Sequence, residues 1–126
     1  MIKALFFDID GTLVSFNTHE IPQSTVDALE QAKRNGVGVY ISTGRPVKLI
    51  NNLHAIEHLI DGYITTNGAY SFIGDKVVSC VDIPLEDART LIRLADEMNF
   101  ATMVVGAKDL TVYHPDEMVD KVFRQL

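Results

Sequence analysis

The hexapeptide Asp8-Ile9-Asp10-Gly11-Thr12-Leu13, closing the apolar run Ala4-Leu5-Phe6-Phe7, limits the folds open to this chain more than any other segment. The run from Ile2 to Phe7 is near-continuous rather than alternating, which marks a parallel strand covered on both faces. Two carboxylates two residues apart at the end of a strand are expected to share one side of it, because strand side chains alternate with period two. Gly11 then permits a sharp turn and a close approach of backbone to whatever the acids hold. An Asp-Gly turn is common and accounts for Asp10-Gly11, but it leaves Asp8 unexplained. Carboxylates beside four apolar residues are costly unless a cation pairs with them. The pattern points to a place for a metal cation and a phosphoryl group at the carboxyl end of a buried strand.

The bulk properties are compatible with that. A chain of 126 residues, 47% hydrophobic and 22% charged, reads as an ordinary soluble globular protein able to bury a core. The formal net charge of −6 argues against nucleic acid or an anionic membrane as main partner. A small phosphorylated molecule stays acceptable, since a divalent cation reverses the local field. Cys80 is the single cysteine, so no internal disulfide can form, and it reads as a small buried apolar residue. The opening Met-Ile-Lys reaches Asp8 too soon for a signal peptide, and no stretch approaches a membrane span of roughly 20 apolar residues. The expected location is the cytoplasm.

Along the chain, the pattern predicts strand Ile2 to Phe7 and a helix opening at Ile21-Pro22 and ended by Gly36. A strand from Val37 to Ile41, a helix from Pro46 to about Ile60 and a strand Gly62 to Thr65 follow. Strand-helix-strand-helix-strand implies right-handed crossovers and a parallel sheet. The rhythm then changes to a hairpin about Gly74-Asp75-Lys76, a helix from Pro84 to near Asn99, a second hairpin about Gly106 to Asp109 and a short helix from Pro115. The predicted boundary lies near Asp82 to Pro84, giving units 1–82 and 83–126.

Two alternatives fail on spacing. Counted from Asp8 as a calcium loop, the fifth, sixth and twelfth positions fall on Thr12, Leu13 and His19, where Asn or Asp, Gly and Glu are needed. Gly36 and Gly38 precede a strand rather than opening a helix, so they are not a dinucleotide-binding turn. His54 and His58, four apart on the predicted second helix, could bind zinc but have no third ligand.

Asp8-Ile9-Asp10-Gly11-Thr12-Leu13 resembles the first signature of the haloacid dehalogenase superfamily, mainly phosphatases and phosphotransferases. Ile41-Ser42-Thr43-Gly44-Arg45-Pro46 is similar to the second signature as written in its Cof-like sugar-phosphatase branch, and Thr66-Asn67-Gly68-Ala69 to a segment of that branch. The resemblance implies an α/β fold with a Rossmann-like parallel core, residues 1–82 forming its N-terminal part and residues 83–126 the first part of an inserted α/β cap. It implies that Asp8 is the nucleophile forming an aspartyl phosphate, and that Asp10 protonates the leaving alkoxide and then deprotonates water. Mg²⁺ would be held by Asp8 and by the backbone carbonyl of Asp10, with a later acid. Thr43 Oγ1 and the amides of Ile9 and Gly44 would hold phosphoryl oxygens, with Arg45 and Asn67 as secondary substrate contacts. Tyr113 and His114 could belong to a lid, although exposed polar surface is the plainer reading of His114.

The family's third signature, a lysine, and its fourth, an acidic pair on a further strand, find no matching context after Asp82. Asp116-Glu117 and Asp120 follow Pro115 as helix-start acids. The resemblance therefore covers this chain but only about half of the expected enzyme, which predicts weak or absent activity of the 126 residues by themselves. It also leaves the first strand as an apolar edge prone to self-association. The leading function is a Mg²⁺-dependent phosphatase of a small phosphorylated metabolite, such as a sugar phosphate. A phosphomutase is a near relative, and a non-catalytic binding or assembly remnant is the alternative from another class. A receiver-type module fits less well: it carries its acceptor Asp at the end of the third strand, where this chain has Thr65-Thr66-Asn67.

Overall fold

Three short apolar segments form adjacent parallel strands, β1 (Ala4–Phe7), β2 (Gly38–Ser42) and β3 (Gly62–Thr65). In this computed structural model, which describes residues 1–125, Phe7 lies opposite Ile41 and Ile41 opposite Tyr63. An antiparallel hairpin, β4 (Tyr70–Ile73) and β5 (Lys76–Cys80), extends the sheet beyond β3, so the order is β1-β2-β3-β4-β5. β1 is an edge of the sheet among the described residues, with Ile2 and Phe6 67% and 58% exposed. Its Phe6 ring stacks on Tyr40 of β2, centroids 5.0 Å apart.

The first crossover is α1 (Gln23–Arg34), which buries Val26 and Leu29. Pro22 precedes it in extended conformation, where its missing N–H costs nothing. It ends in a Schellman arrangement: the Gly36 amide donates to the Lys33 carbonyl and Val37 to Ala32, with Gly36 at φ +74°. Val26 and Leu29 join Ile9, Leu13, Val14, Val39, Ile41, Leu53, Ile56 and Leu59 in one core cluster.

The predicted helix from Pro46 to Ile60 is not formed. Only single tight turns occur, at Val47–Leu49 and Glu57–Leu59. Pro46 and Ile50 are extended, and the Leu49 carbonyl accepts a hydrogen bond from Arg45 Nη1 at 2.9 Å. Leu53, Ile56 and Leu59 are nonetheless buried, because three-residue turns linking Ile56 to Leu53 and Leu59 to Ile56 bring every third residue to the same side. The two exposed histidines, His54 and His58, are therefore not one helical turn apart on a helix face.

The chain divides into two compact units, one ending at Cys80 and one starting at Val81. The second contains α2 (Leu85–Met98), closed by Asn99 in left-handed conformation, and the hairpin β6 (Thr102–Val105) and β7 (Leu110–Tyr113). It continues into α3 (Glu117–Gln125), whose start is capped by the Asp116 carboxylate accepting the Val119 amide at 2.9 Å. Cys80 is exposed, contrary to its apolar reading, because β5 is exposed along its whole length. Among the described residues, no helix is long and apolar enough to cross a membrane.

Asp61 ties the first unit together at the opposite end of the strands from the acidic hexapeptide. Its Oδ2 accepts the Val39 amide at 2.8 Å, its own amide donates to the Val39 carbonyl, and its Oδ1 pairs with Lys33 of α1. Burial pushes this carboxyl up, but the Lys33 hydrogen bond, the Val39 amide and the Lys33 charge outweigh it and hold it below the usual carboxylate value. A depressed folded value means that the stabilisation is complete above the unfolded value of about 4 and is lost as pH falls through the folded one. Asp61→Ala is expected to cost about 1–2 kcal/mol in urea unfolding at pH 7. The gap between parent and variant should narrow steadily below about pH 4; a gap that stays constant into strong acid would refute this role.

Candidate active site

Because β1, β2 and β3 run in parallel and lie side by side, their carboxyl ends and the loops that follow open on one edge of the sheet. After β1 the chain wraps around Ile9. The Ile9 carbonyl accepts the amides of Thr12, Leu13 and Val14 at 3.3, 3.1 and 2.9 Å, and the Gly11 amide donates to the Val14 carbonyl at 2.9 Å. Gly11 sits at φ +76°, and a Cβ there would run into the Phe16 ring. Both acids thus lie beyond the strand, since β1 ends at Phe7: Asp8 directly follows it and Asp10 sits in the Ile9 turn, bridged to Val14. Burying Ile9 completely, with Leu13 and Val14, pulls the backbone into this turn and leaves Asp8 exposed and Asp10 half-buried.

After β2, Thr43 continues the ladder by donating its amide to the Ile64 carbonyl at 2.9 Å, and its Oγ1 accepts the Arg45 amide at 3.1 Å. Both Thr43 and Arg45 are buried. Gly44 is exposed, and a Cβ on it would lie 2.9 Å from Asn67 Oδ1, so the Asn67 side chain lies close against a position without a side chain. The loop after β3 is bonded to the same segment: Thr66 donates to the Arg45 carbonyl at 3.1 Å and Asn67 to that of Thr43 at 3.3 Å. These bonds hold Thr66 and Asn67 at φ +52° and +53°, a conformation that disfavours a β-branched residue such as Thr66.

The loops after β1 and β2 are joined by an ion pair. Arg45 Nε donates to Asp10 Oδ2 at 2.8 Å and Nη2 to Asp10 Oδ1 at 2.6 Å, a bidentate fork, while Nη1 reaches the Leu49 carbonyl. The guanidinium side chain is 7% exposed and the Asp10 carboxylate 35%. The cation demanded by an acid beside an apolar strand is supplied, for Asp10, by the chain itself.

Of the residues singled out in the sequence, the structure links Asp10 with Arg45, Thr43 with Arg45, and Gly44 with Asn67, while Asp8 lies exposed between β1 and the Ile9 turn. Sequence reasoning placed Arg45 against substrate and missed its engagement with Asp10 and Leu49. The available signal was an arginine flanked by a buried strand and by Pro46-Val47, since a buried guanidinium needs an acid. Tyr113 and His114 are exposed in the second unit, where His114 Nε2 meets Asp96 Oδ1 at 2.7 Å. Among the described residues, no three His, Cys, Asp or Glu side chains gather to hold a metal.

Residues 5–125 match the sequence profile of the haloacid dehalogenase-like hydrolases. The chain is 33% identical over 96 residues to YkrA, a candidate phosphatase of Bacillus subtilis, covering 75% of this chain and 36% of that protein. It is 32% identical over 130 residues to YxeH, a candidate phosphatase of the same organism, covering 90% of this chain and 47% of that one. Among solved structures, the subclass IIB sugar phosphatase BT4131 superposes with a TM-score of 0.89 at 48% identity, over 96% of this chain and 47% of its own. The chain therefore spans less than half the length of each of these proteins.

The Gly11 turn can be tested against Gly36, which has nearly the same φ but nothing within 4 Å of where a methyl group would stand. Gly36→Ala should cost about 1 kcal/mol from the backbone alone. Gly11→Ala should cost the same plus only what the exposed Phe16 ring loses on swinging away, and that excess should vanish in a Phe16→Ala background. Equal losses for the two glycines in denaturant titrations would show that the ring does not constrain the turn.

Proposed function

Since the chain belongs to the haloacid dehalogenase-like hydrolases, we propose that it carries the nucleophile-bearing part of a phosphatase acting on a small phosphorylated metabolite. The observation that carries this reading is the contrast between its two acids: Asp8 is exposed, whereas Asp10 is held on both oxygens by Arg45. An ionised carboxylate needs no base, so Asp8 attacks phosphorus directly. The P–O ester bond breaks, the phosphoryl group passes to Asp8, and the leaving alkoxide takes a proton from Asp10, which must enter this step as the carboxylic acid with its proton on the side away from Arg45. Asp10 then removes a proton from water as the water attacks the aspartyl phosphate, releasing orthophosphate and regenerating Asp8.

Thr43 Oγ1, the amides of Ile9 and Gly44, and Asn67 are the proposed partners of the phosphoryl and substrate oxygens. The Asp8 carboxylate and the Asp10 carbonyl are hard oxygen donors of the kind Mg²⁺ takes, and the Asp10 side chain is already committed to Arg45. Bound there, Mg²⁺ supplies neutralisation of phosphate charge. A sugar phosphate as substrate is supported by the likeness to a sugar phosphatase, and the unit from Val81 is proposed as the opening part of a cap that selects substrate.

The test is capture of an acyl-phosphate mimic. With Mg²⁺ present, fluoroberyllate should bind saturably in calorimetry and show a bound fluorine resonance, and Asp8→Asn should abolish both. Binding that survives Asp8→Asn, or that needs no Mg²⁺, would remove Asp8 from this role.

We further propose that the 126 residues by themselves self-associate through β1, whose open edge carries exposed Ile2 and Phe6. Light scattering should report species above the monomer mass at micromolar concentration, reduced by Phe6→Lys. A stable monomer would count against this edge as an interface.

A further inference from the structure

We infer that Arg45 is a positioning residue that aims the Asp10 carboxyl at the leaving-group oxygen, and not a ligand of the phosphoryl group. This rests on the phosphatase reading given above. Arg45 is anchored along its whole length. Its amide donates to Thr43 Oγ1, its carbonyl accepts the Thr66 amide, Nη1 donates to the Leu49 carbonyl, and Nε and Nη2 grip both oxygens of Asp10. A side chain that is 7% exposed and fixed at its amide, carbonyl and all three guanidinium nitrogens is not placed to follow a substrate in and out.

The fork favours the ionised form of Asp10, so what it supplies is geometry: the plane is held while the proton is carried on the open side. Each carboxylate oxygen has two lone-pair positions, and a bidentate guanidinium uses one on each. The carboxyl plane is thereby fixed while its other side, in a group 35% exposed, stays open to a reacting oxygen. A lysine would keep the charge but could not fix the plane, since an ammonium is a point charge on a flexible stem. Proton transfer depends on that aim, because donor and acceptor must come within hydrogen-bond reach in the transition state.

A positioned acid matters only where the leaving group needs a proton. p-Nitrophenolate departs as a stable anion, whereas the alkoxide of glycerol phosphate does not. The purified protein, Arg45→Lys and Arg45→Met are therefore compared on both esters by kcat/KM, which reports the phosphoryl-transfer step. General acid catalysis is worth about 10²–10⁴-fold, so loss of aim should lower kcat/KM for glycerol phosphate by at least about tenfold and for the aryl ester by no more than about threefold. Fluoroberyllate affinity should stay unchanged, and Arg45→Lys should resemble Arg45→Met, which also supplies a folded variant if the methionine protein fails to fold. A parallel loss on both esters with weakened fluoroberyllate binding would make Arg45 a phosphoryl ligand and overturn the inference. A parallel loss with a lowered unfolding midpoint would reduce it to a structural residue, and no loss on either ester would remove it altogether. A parent protein with no Asp8-dependent fluoroberyllate binding overturns the phosphatase reading, whereas one that binds it through Asp8 but turns over neither ester overturns only the positioning role in these 126 residues.

Discussion

A buried guanidinium sets the terms for the acidic end of the sheet. Taking a charged group out of water costs several kcal/mol unless hydrogen bonds and an opposite charge offset it. Arg45 meets that demand with Asp10, 35 residues earlier, and with the Leu49 carbonyl, four residues later. The first contact fixes the loop after β1 to the loop after β2. The second takes an acceptor that a helix would have given to the Leu53 amide, and it does so where Pro46 and Ile50 are already extended. One side chain thus both assembles the site and helps explain why the second crossover is irregular.

The parts of the fold legible in the sequence were those fixed by local chemistry. Val37 to Ile41 and Gly62 to Thr65 read as strands from their apolar content. Pro22 with Gly36 bounded α1, and Pro84 with Asn99 bounded α2, through conformations those residues favour by themselves. The segment after Arg45 was not legible, because Leu53, Ile56 and Leu59 satisfy the spacing of a helix and of successive three-residue turns equally well. Period could not separate the two; the Arg45–Leu49 contact could, but only once Arg45 was known to be buried.

The candidate site divides in the same way. Asp8-Ile9-Asp10 marked the strand end, but not that the strand stops at Phe7 and that complete burial of Ile9, whose carbonyl accepts three amides, folds the chain into a turn from Ile9 onward. The pairing of Asp10 with Arg45 is non-local and carries no periodic signature. Fold membership could not supply it either, because a shared fold fixes where a site can be and leaves its chemistry to particular side chains.

The two acids differ in what surrounds them, and the difference follows from how the loops are bonded. Asp8 follows β1 directly and is exposed, as the nucleophile role proposed for it requires. Asp10 is gripped by a residue whose carbonyl in turn holds Thr66. Thr43 holds Asn67, and Asn67 closes over Gly44. The left-handed conformations of Thr66 and Asn67 are unfavourable in isolation and persist because both amides find acceptors in the neighbouring loop. Three strand-end loops are thereby one bonded unit before any ligand arrives. A site whose donors are fixed in advance spends no reorganisation energy as charge develops on reacting oxygens, and it is this connectivity, more than the mere presence of two aspartates, that sets these loops apart as the candidate site for the phosphoryl transfer proposed above.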